Sequence, residues 1–177
     1  DLSTLPIVNE YRRIYKAFGV DPRSRIPSAE ALLKRVLNGR DIYKINVLVD
    51  VYNLSSAEFL LPMATYDLDK ISLPVKLRFS DEGESHIAIG STKPEHLKKG
   101  EMVYADEQTI ICRDFNYKDS ELTKVILDTK RAILFVDGCD QISVEELEEV
   151  MFTTVQRIIR FCGGRIIKQA ILYKEES

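Results

Sequence analysis

Tryptophan is absent, histidine occurs twice and cysteine three times in the 177 residues. Each scarcity excludes a class of chemistry. His86 falls in an expected strand and His96 in a lysine-rich turn. A metal centre needs a second ligand at short spacing, so neither a metal nor a cofactor is expected. Cys112, Cys139 and Cys162 share no Cys-x-x-Cys spacing and are odd in number. They read as reduced, mostly buried thiols, which makes a cytoplasmic location the expectation. No apolar run approaches the ~18 residues of a membrane span, and no stretch reads as a signal peptide. Gly-x-Ser-x-Gly, the phosphate-binding loop, Gly-x-Gly-x-x-Gly and His-Glu-x-x-His are all missing, so no common catalytic signature assigns the reaction.

At 45% hydrophobic and 30% charged, the chain has enough apolar material for a sizeable core. The expectation is one domain over 1–177, with a helical N-terminal part over 1–60. Net charge is −3, which argues against a general polyanion binder. The charge is uneven, however: residues 1–50 carry nine Lys and Arg against six acids. That section is either a solvated helical face or a surface for an RNA backbone.

Leu5, Val8, Tyr11, Ile14, Tyr15 and Phe18 recur at helical spacing up to Gly19. Ser28 looks like the N-cap of a second helix closed by Asn38-Gly39. A third helical stretch runs from Ile45 toward Pro62. Val75, Leu77 and Phe79 alternate with Lys76 and Arg78, the pattern of a half-buried strand. His86–Ile89, Met102–Ala105 and Thr109–Arg113 read as further short strands. Ala132–Val136 is apolar throughout and reads as buried on both faces. Ser143 and Glu146 form a capping box that opens the strongest helix, ended by Gly163-Gly164. Arg165–Tyr173 reads as a last strand. The order of elements predicts an α+β fold. Mixed or antiparallel β-sheets make a sandwich-like core, flanked by N-terminal helices and one long C-terminal helix.

The densest polar segment is Cys112-Arg-Asp-Phe-Asn-Tyr-Lys-Asp119. It is either a ligand-facing loop or a turn that satisfies its own backbone. Other segments carry a resemblance. Asp50-Val-Tyr-Asn53, Leu61-Pro-Met63 and Tyr66-Asp-Leu-Asp-Lys-Ile71 resemble the tRNA-binding and editing domain of the bacterial phenylalanyl-tRNA synthetase beta subunit, its fused third and fourth B modules. Tyr104-Ala-Asp-Glu107, Cys112-Arg-Asp-Phe-Asn116, Asp119-Ser120, Thr123, Thr129 and Cys162-Gly-Gly164 are similar to the free-standing relatives of that domain. Ala64 stands where the synthetase pattern has His. The acidic residue that the pattern carries in its following buried strand has no clear counterpart near Leu134–Val136.

The resemblance implies tRNA and an aminoacyl or amino-acid-like ligand as partners, with hydrolysis of a mischarged aminoacyl ester in trans. On that reading Asp119, Thr123 and Asn116 carry the reaction. Asp119 orients water or an ammonium group, Thr123 helps to place the water, and Asn116 grips the amine or carbonyl. Arg113, Tyr66, Asp67, Asn53 and Asp114 bind substrate, with Arg113 holding a carbonyl or phosphate. The alternatives are a non-catalytic module for RNA or an amino-acid-like ligand, and a scaffold kept for protein contacts.

Overall fold

The computed structural model describes residues 1–172. It is an α+β fold of four α-helices and several small antiparallel sheets. The helices are α1 (Pro6–Ala17), α2 (Ser28–Leu37), α3 (Val47–Phe59) and α4 (Val144–Cys162). The strands are β1 (Met63–Asp67), β2 (Lys76–Phe79), β3 (Ser85–His86), β4 (Glu95–His96), β5 (Met102–Ala105), β6 (Ile110–Arg113), β7 (Lys118–Asp119) and β8 (Ala132–Val136). Among the described residues no helix is long and apolar enough to cross a membrane.

Local chemistry explains most boundaries. Pro6 starts α1, where its missing N–H costs nothing. Asn46 caps α3 by accepting from the Val49 N–H at 3.0 Å. Leu60, with φ of 56°, ends that helix ahead of Pro62. Ser143 and Glu146 close the capping box of α4 in both directions. Ser143→Ala should therefore lower stability by about 1 kcal/mol in a urea titration, with the m-value unchanged.

Four expectations change. Pro27, not Ser28, precedes α2, and the Ser28 hydroxyl is buried without a partner. The β8 run is half-buried rather than enclosed, because among the described residues it pairs with β1 alone. Residues 165–172 form no ladder, and Tyr173 lies outside the described residues. An apolar run becomes a strand only where a neighbouring edge receives its backbone groups. The expected strand at His86–Ile89 likewise shortens to Ser85–His86.

Register decides what faces what. Directly opposed residues of an antiparallel pair project to the same side. Across the four-stranded sheet β2-β5-β6-β7, one row therefore holds Leu77, Tyr104, Cys112 and Asp119. The adjacent row, on the reverse face, holds Arg78, Val103, Arg113 and Lys118. The β1–β8 ribbon lies over the first face. Tyr66, Ala64, Ile133 and Phe135 pack with Tyr104 and Cys112. Met63, Leu134 and Val136 on its other side join the helices through Tyr11, Tyr52, Leu61 and Val150.

Candidate functional site between the ribbon and the sheet

The space between the ribbon and the four-stranded sheet gathers two carboxylates and a ring of aromatic groups. Asp119 comes from the sheet, next to Cys112. Asp137 follows Val136 at the end of β8, so it returns to the Phe135 side. Its backbone N–H donates to the Pro62 carbonyl at 3.0 Å, which anchors it to the start of β1. Both acids are half-buried.

Hydrogen bonds converge on these acids. Tyr66 Oη donates to Asp119 Oδ1 at 2.8 Å. Tyr104 Oη donates to Asp137 Oδ1 at 2.6 Å, and Asn116 Nδ2 approaches Asp137 Oδ2 at 3.4 Å. Tyr15 Oη donates to Asn116 Oδ1 at 2.7 Å, which fixes the orientation of that amide. Tyr11 Oη donates to the Asp137 carbonyl at 2.5 Å. Phe135 packs against Tyr66 and Tyr104 at ring centroid separations of 5.4 and 5.3 Å. Phe115 stacks on Tyr104 at 6.0 Å.

Neither acid has an ion-pair partner among the described residues, although cations pair with carboxylates elsewhere in the molecule. Desolvation raises the Asp137 carboxyl to about 6, against hydrogen bonds from Tyr104 and Asn116 that lower it. The Asp119 charge adds to the rise. Desolvation also raises Asp119, and it pushes Tyr66, Tyr104 and Cys112 upward. The phenols are therefore donors at neutral pH. Two acids with donors fixed on them and no cation paired to them among the described residues leave a negative charge that a cationic group bearing N–H bonds would offset.

A strained turn delivers Asn116. Asp114 and Phe115 both adopt positive φ, 52° and 67°, between β6 and β7. A left-handed aromatic residue is costly and persists only where its surroundings hold it. Phe115 is buried, with its ring set edge-on to Phe18, and Arg25 pairs with the buried Asp114 carboxylate. Asp119 also lines a surface cleft of about 430 Å³ with Gly90, Ser91, Glu95, Tyr117 and Lys118.

Of the residues singled out from sequence, the structure brings Tyr66, Asn116 and Asp119 to this space. It does not bring the others there. The Arg113 guanidinium lies on the reverse sheet face, with Nε 2.7 Å from Glu101 and Nη1 2.9 Å from Glu95. Asp67 faces away from Tyr66 and accepts from Thr129 Oγ1 at 2.8 Å. Asp114 is taken by Arg25. The Thr123 hydroxyl is buried without a partner, and its carbonyl accepts from the Asp67 N–H. Asn53 is half-buried on α3 and forms no side-chain hydrogen bond among the described residues.

His86 is buried, with neither ring nitrogen hydrogen-bonded. Desolvation and then the Arg113 charge push its imidazole down to about 4, so it is neutral at pH 7. His86 faces the reverse-side charges, and His96 is exposed on β4. Ala64 sits on the Tyr66 side of β1, where it leaves room and supplies no base. Among the described residues no group of three His, Cys, Asp or Glu is placed to hold a metal ion.

Sequence reasoning missed Asp137, Tyr104, Tyr15 and Tyr11 as parts of this network. The signals were present. Asp137 is the first polar residue after the apolar run 132–136, and Tyr11 and Tyr15 are one helical turn apart.

Comparison with known proteins places the fold. The family model described as the B3/4 domain matches residues 10–163. The phenylalanine–tRNA ligase beta subunit of Fusobacterium nucleatum is 25% identical over 161 residues, covering 78% of this chain and 20% of that protein. The corresponding subunit of Haemophilus ducreyi is 28% identical over 102 residues, 58% of this chain and 13% of that protein. The chain thus spans a fifth or less of the length of these relatives. The crystal structure of an N-terminal fragment of the phenylalanyl-tRNA synthetase beta subunit from Pyrococcus horikoshii superposes with a TM-score of 0.53. It shares 16% identity and covers 68% of this chain and 42% of that one.

Proposed function

Because the chain belongs to the B3/4 domain family, we propose that it receives the aminoacyl end of a tRNA and hydrolyses the ester of a mischarged residue. The observation that carries this reading is the pair Asp119 and Asp137, paired with no cation among the described residues and set against an aromatic wall. An α-ammonium group offsets their charge, and the aromatic groups receive an apolar side chain. The name of the relatives, phenylalanine–tRNA ligase, supports tRNA as the carrier of that aminoacyl group.

The chain supplies no imidazole at this place, so general-base work falls to a carboxylate. Asp119, beside the cleft, polarises the attacking water or steadies the ammonium group. Asn116, oriented by Tyr15, donates to the carbonyl oxygen as negative charge develops there. The cleft along Ser91 and Lys118 takes the terminal ribose and its phosphate.

A second reading rests on the same residues. With Ala64 supplying no base, the site acts as a binding module that holds the aminoacyl group without cleaving it. Release of free amino acid from a panel of misacylated tRNAs separates the two. Hydrolysis predicts release well above the spontaneous rate for at least one pair, with Asp119→Asn and Asn116→Ala each reducing it about 100-fold. Release at the spontaneous rate for every pair overturns hydrolysis and leaves the binding module.

A further inference from the structure

Four of the nine Lys and Arg in residues 1–50 are paired with acids. Arg12 pairs with Glu30, Arg13 with Glu10, Arg23 with Asp21, and Arg25 with Asp114. Four of the other five are concentrated in one place. Over residues 34–47, the end of α2 and the arm leading into α3, stand Lys34, Arg35, Arg40 and Lys44, with Asp41 as the single acid. None of these four cations has an ion-pair partner among the described residues. Arg35 Nε donates to the Asp41 carbonyl.

Three further features coincide there. The Arg35 guanidinium lies 3.9 Å from the centroid of the Tyr43 ring, and Tyr43 is 55% exposed. A guanidinium stacked on an exposed ring makes a planar platform of the kind on which nucleobases stack. Residues 41–44 lie outside any helix or strand, and among the described residues their backbone N–H groups donate no hydrogen bond. Such groups are donors for phosphate oxygens. Leu37 and Ile45 are exposed beside them, at 64% and 63%.

We infer that residues 34–47 form an RNA-contacting surface that seats a single-stranded segment of the tRNA, with Lys34, Arg40 and Lys44 on phosphates and Tyr43 under a base. This rests on the tRNA reading of the aminoacyl site and adds the contact surface that the reading lacks. An anionic lipid surface is the competing partner for a basic, partly apolar patch. The stacked platform and the unpaired backbone donors favour RNA.

The test is fluorescence anisotropy with labelled, deacylated tRNA, which needs no hydrolysis, at salt between about 50 and 200 mM. The combined variant Lys34→Glu, Arg40→Glu, Lys44→Glu is expected to bind at least about tenfold more weakly at low salt. Its log–log salt slope should be shallower by about two to three. Tyr43→Ala is expected to lose about fivefold or more with the slope unchanged. Lys98→Glu with Lys99→Glu, in the turn before β5, should change neither. Lys34, Arg40, Lys44, Lys98 and Lys99 are all exposed, and a thermal melt checks each variant. Wild-type binding that the triple variant does not alter overturns the surface and leaves the tRNA reading standing. Absence of wild-type binding to tRNA, with or without binding to phosphatidylglycerol vesicles, overturns both.

Discussion

Asp137→Asn is expected to stabilise the protein by about 2 kcal/mol at pH 7 while weakening an amine-bearing ligand about 100-fold. Burial raises the Asp137 carboxyl from 3.8 to about 6, so the native state favours its proton. Between those two values the native chain holds a proton that the unfolded chain has released. Wild-type stability from this group is therefore full below about 3.8 and is lost as pH rises through 6. The amide has no such loss. The ceiling on the difference is about 3 kcal/mol, from 1.36 kcal/mol per pH unit. Rearrangement of the Tyr104 hydroxyl around the amide lowers the figure.

The measurement is urea unfolding of both proteins from pH 4 to pH 7. The stability gap between them should open as pH rises. Groups of opposite sign, such as Glu58 and Glu84 held low by Arg157 and Arg78, are common to both proteins and cancel in that difference. A variant that is more stable and yet cannot bind marks a group kept for function at the expense of folding.

Arg113→Ala is expected to destabilise the protein by about 3 kcal/mol at pH 7. Arg113 and Glu101 are each only 12% exposed at their side chains, and Glu95 and Asp114 complete the cluster. Burial alone would raise Glu101. The Arg113 hydrogen bond, the Lys98 N–H and the charges of Arg113 and Arg25 together outweigh it and hold the carboxyl below its usual value. Removing Arg113 strands a buried charge. In the wild type, the contribution of Glu101 is present above its unfolded pKa and is lost as pH falls through the native one. Loss of the Arg113 contributions moves the carboxyl upward in the variant, so the damage should shrink as pH falls. A pH-independent loss would point to packing of the arginine stem. Binding of an amine-bearing ligand by the folded fraction should be unchanged, because the guanidinium lies on the far side of the sheet from Asp119.

The contrast between Asp137 and Arg113 shows what could be read in advance. The long α4 was legible because its capping box and apolar stripe lie within a few residues of one another. The β5–β6 hairpin was legible for the same reason. The density of polar residues over Cys112–Asp119 is plain in the sequence, but which way each side chain faces is not. Cys112 pairs with Asp119 and Arg113 with Lys118, a register set by the left-handed pair Asp114–Phe115. Sequence rules reserve such a turn for Gly, Asn or Asp, and a phenylalanine gives no sign of it.

Asp137 was hidden for a different reason. Its partners Tyr104, Asn116 and Pro62 are distant in sequence and meet it only after the ribbon folds over the sheet. The run at 165–172 carried apolar residues of strand length without a strand, since its composition says nothing about an available edge.

Isothermal titration with a non-hydrolysable aminoacyl-adenosine amide, beside the same compound with its α-amine replaced by hydroxyl, tests the two-carboxylate site most directly. The amine-bearing compound is expected to bind at least about 100-fold more tightly to the wild type. That preference should vanish in Asp137→Asn and Asp119→Asn while Arg113→Lys retains it. Equal affinity for the two compounds, or a preference that survives both carboxylate substitutions, would contradict a site built around Asp119 and Asp137.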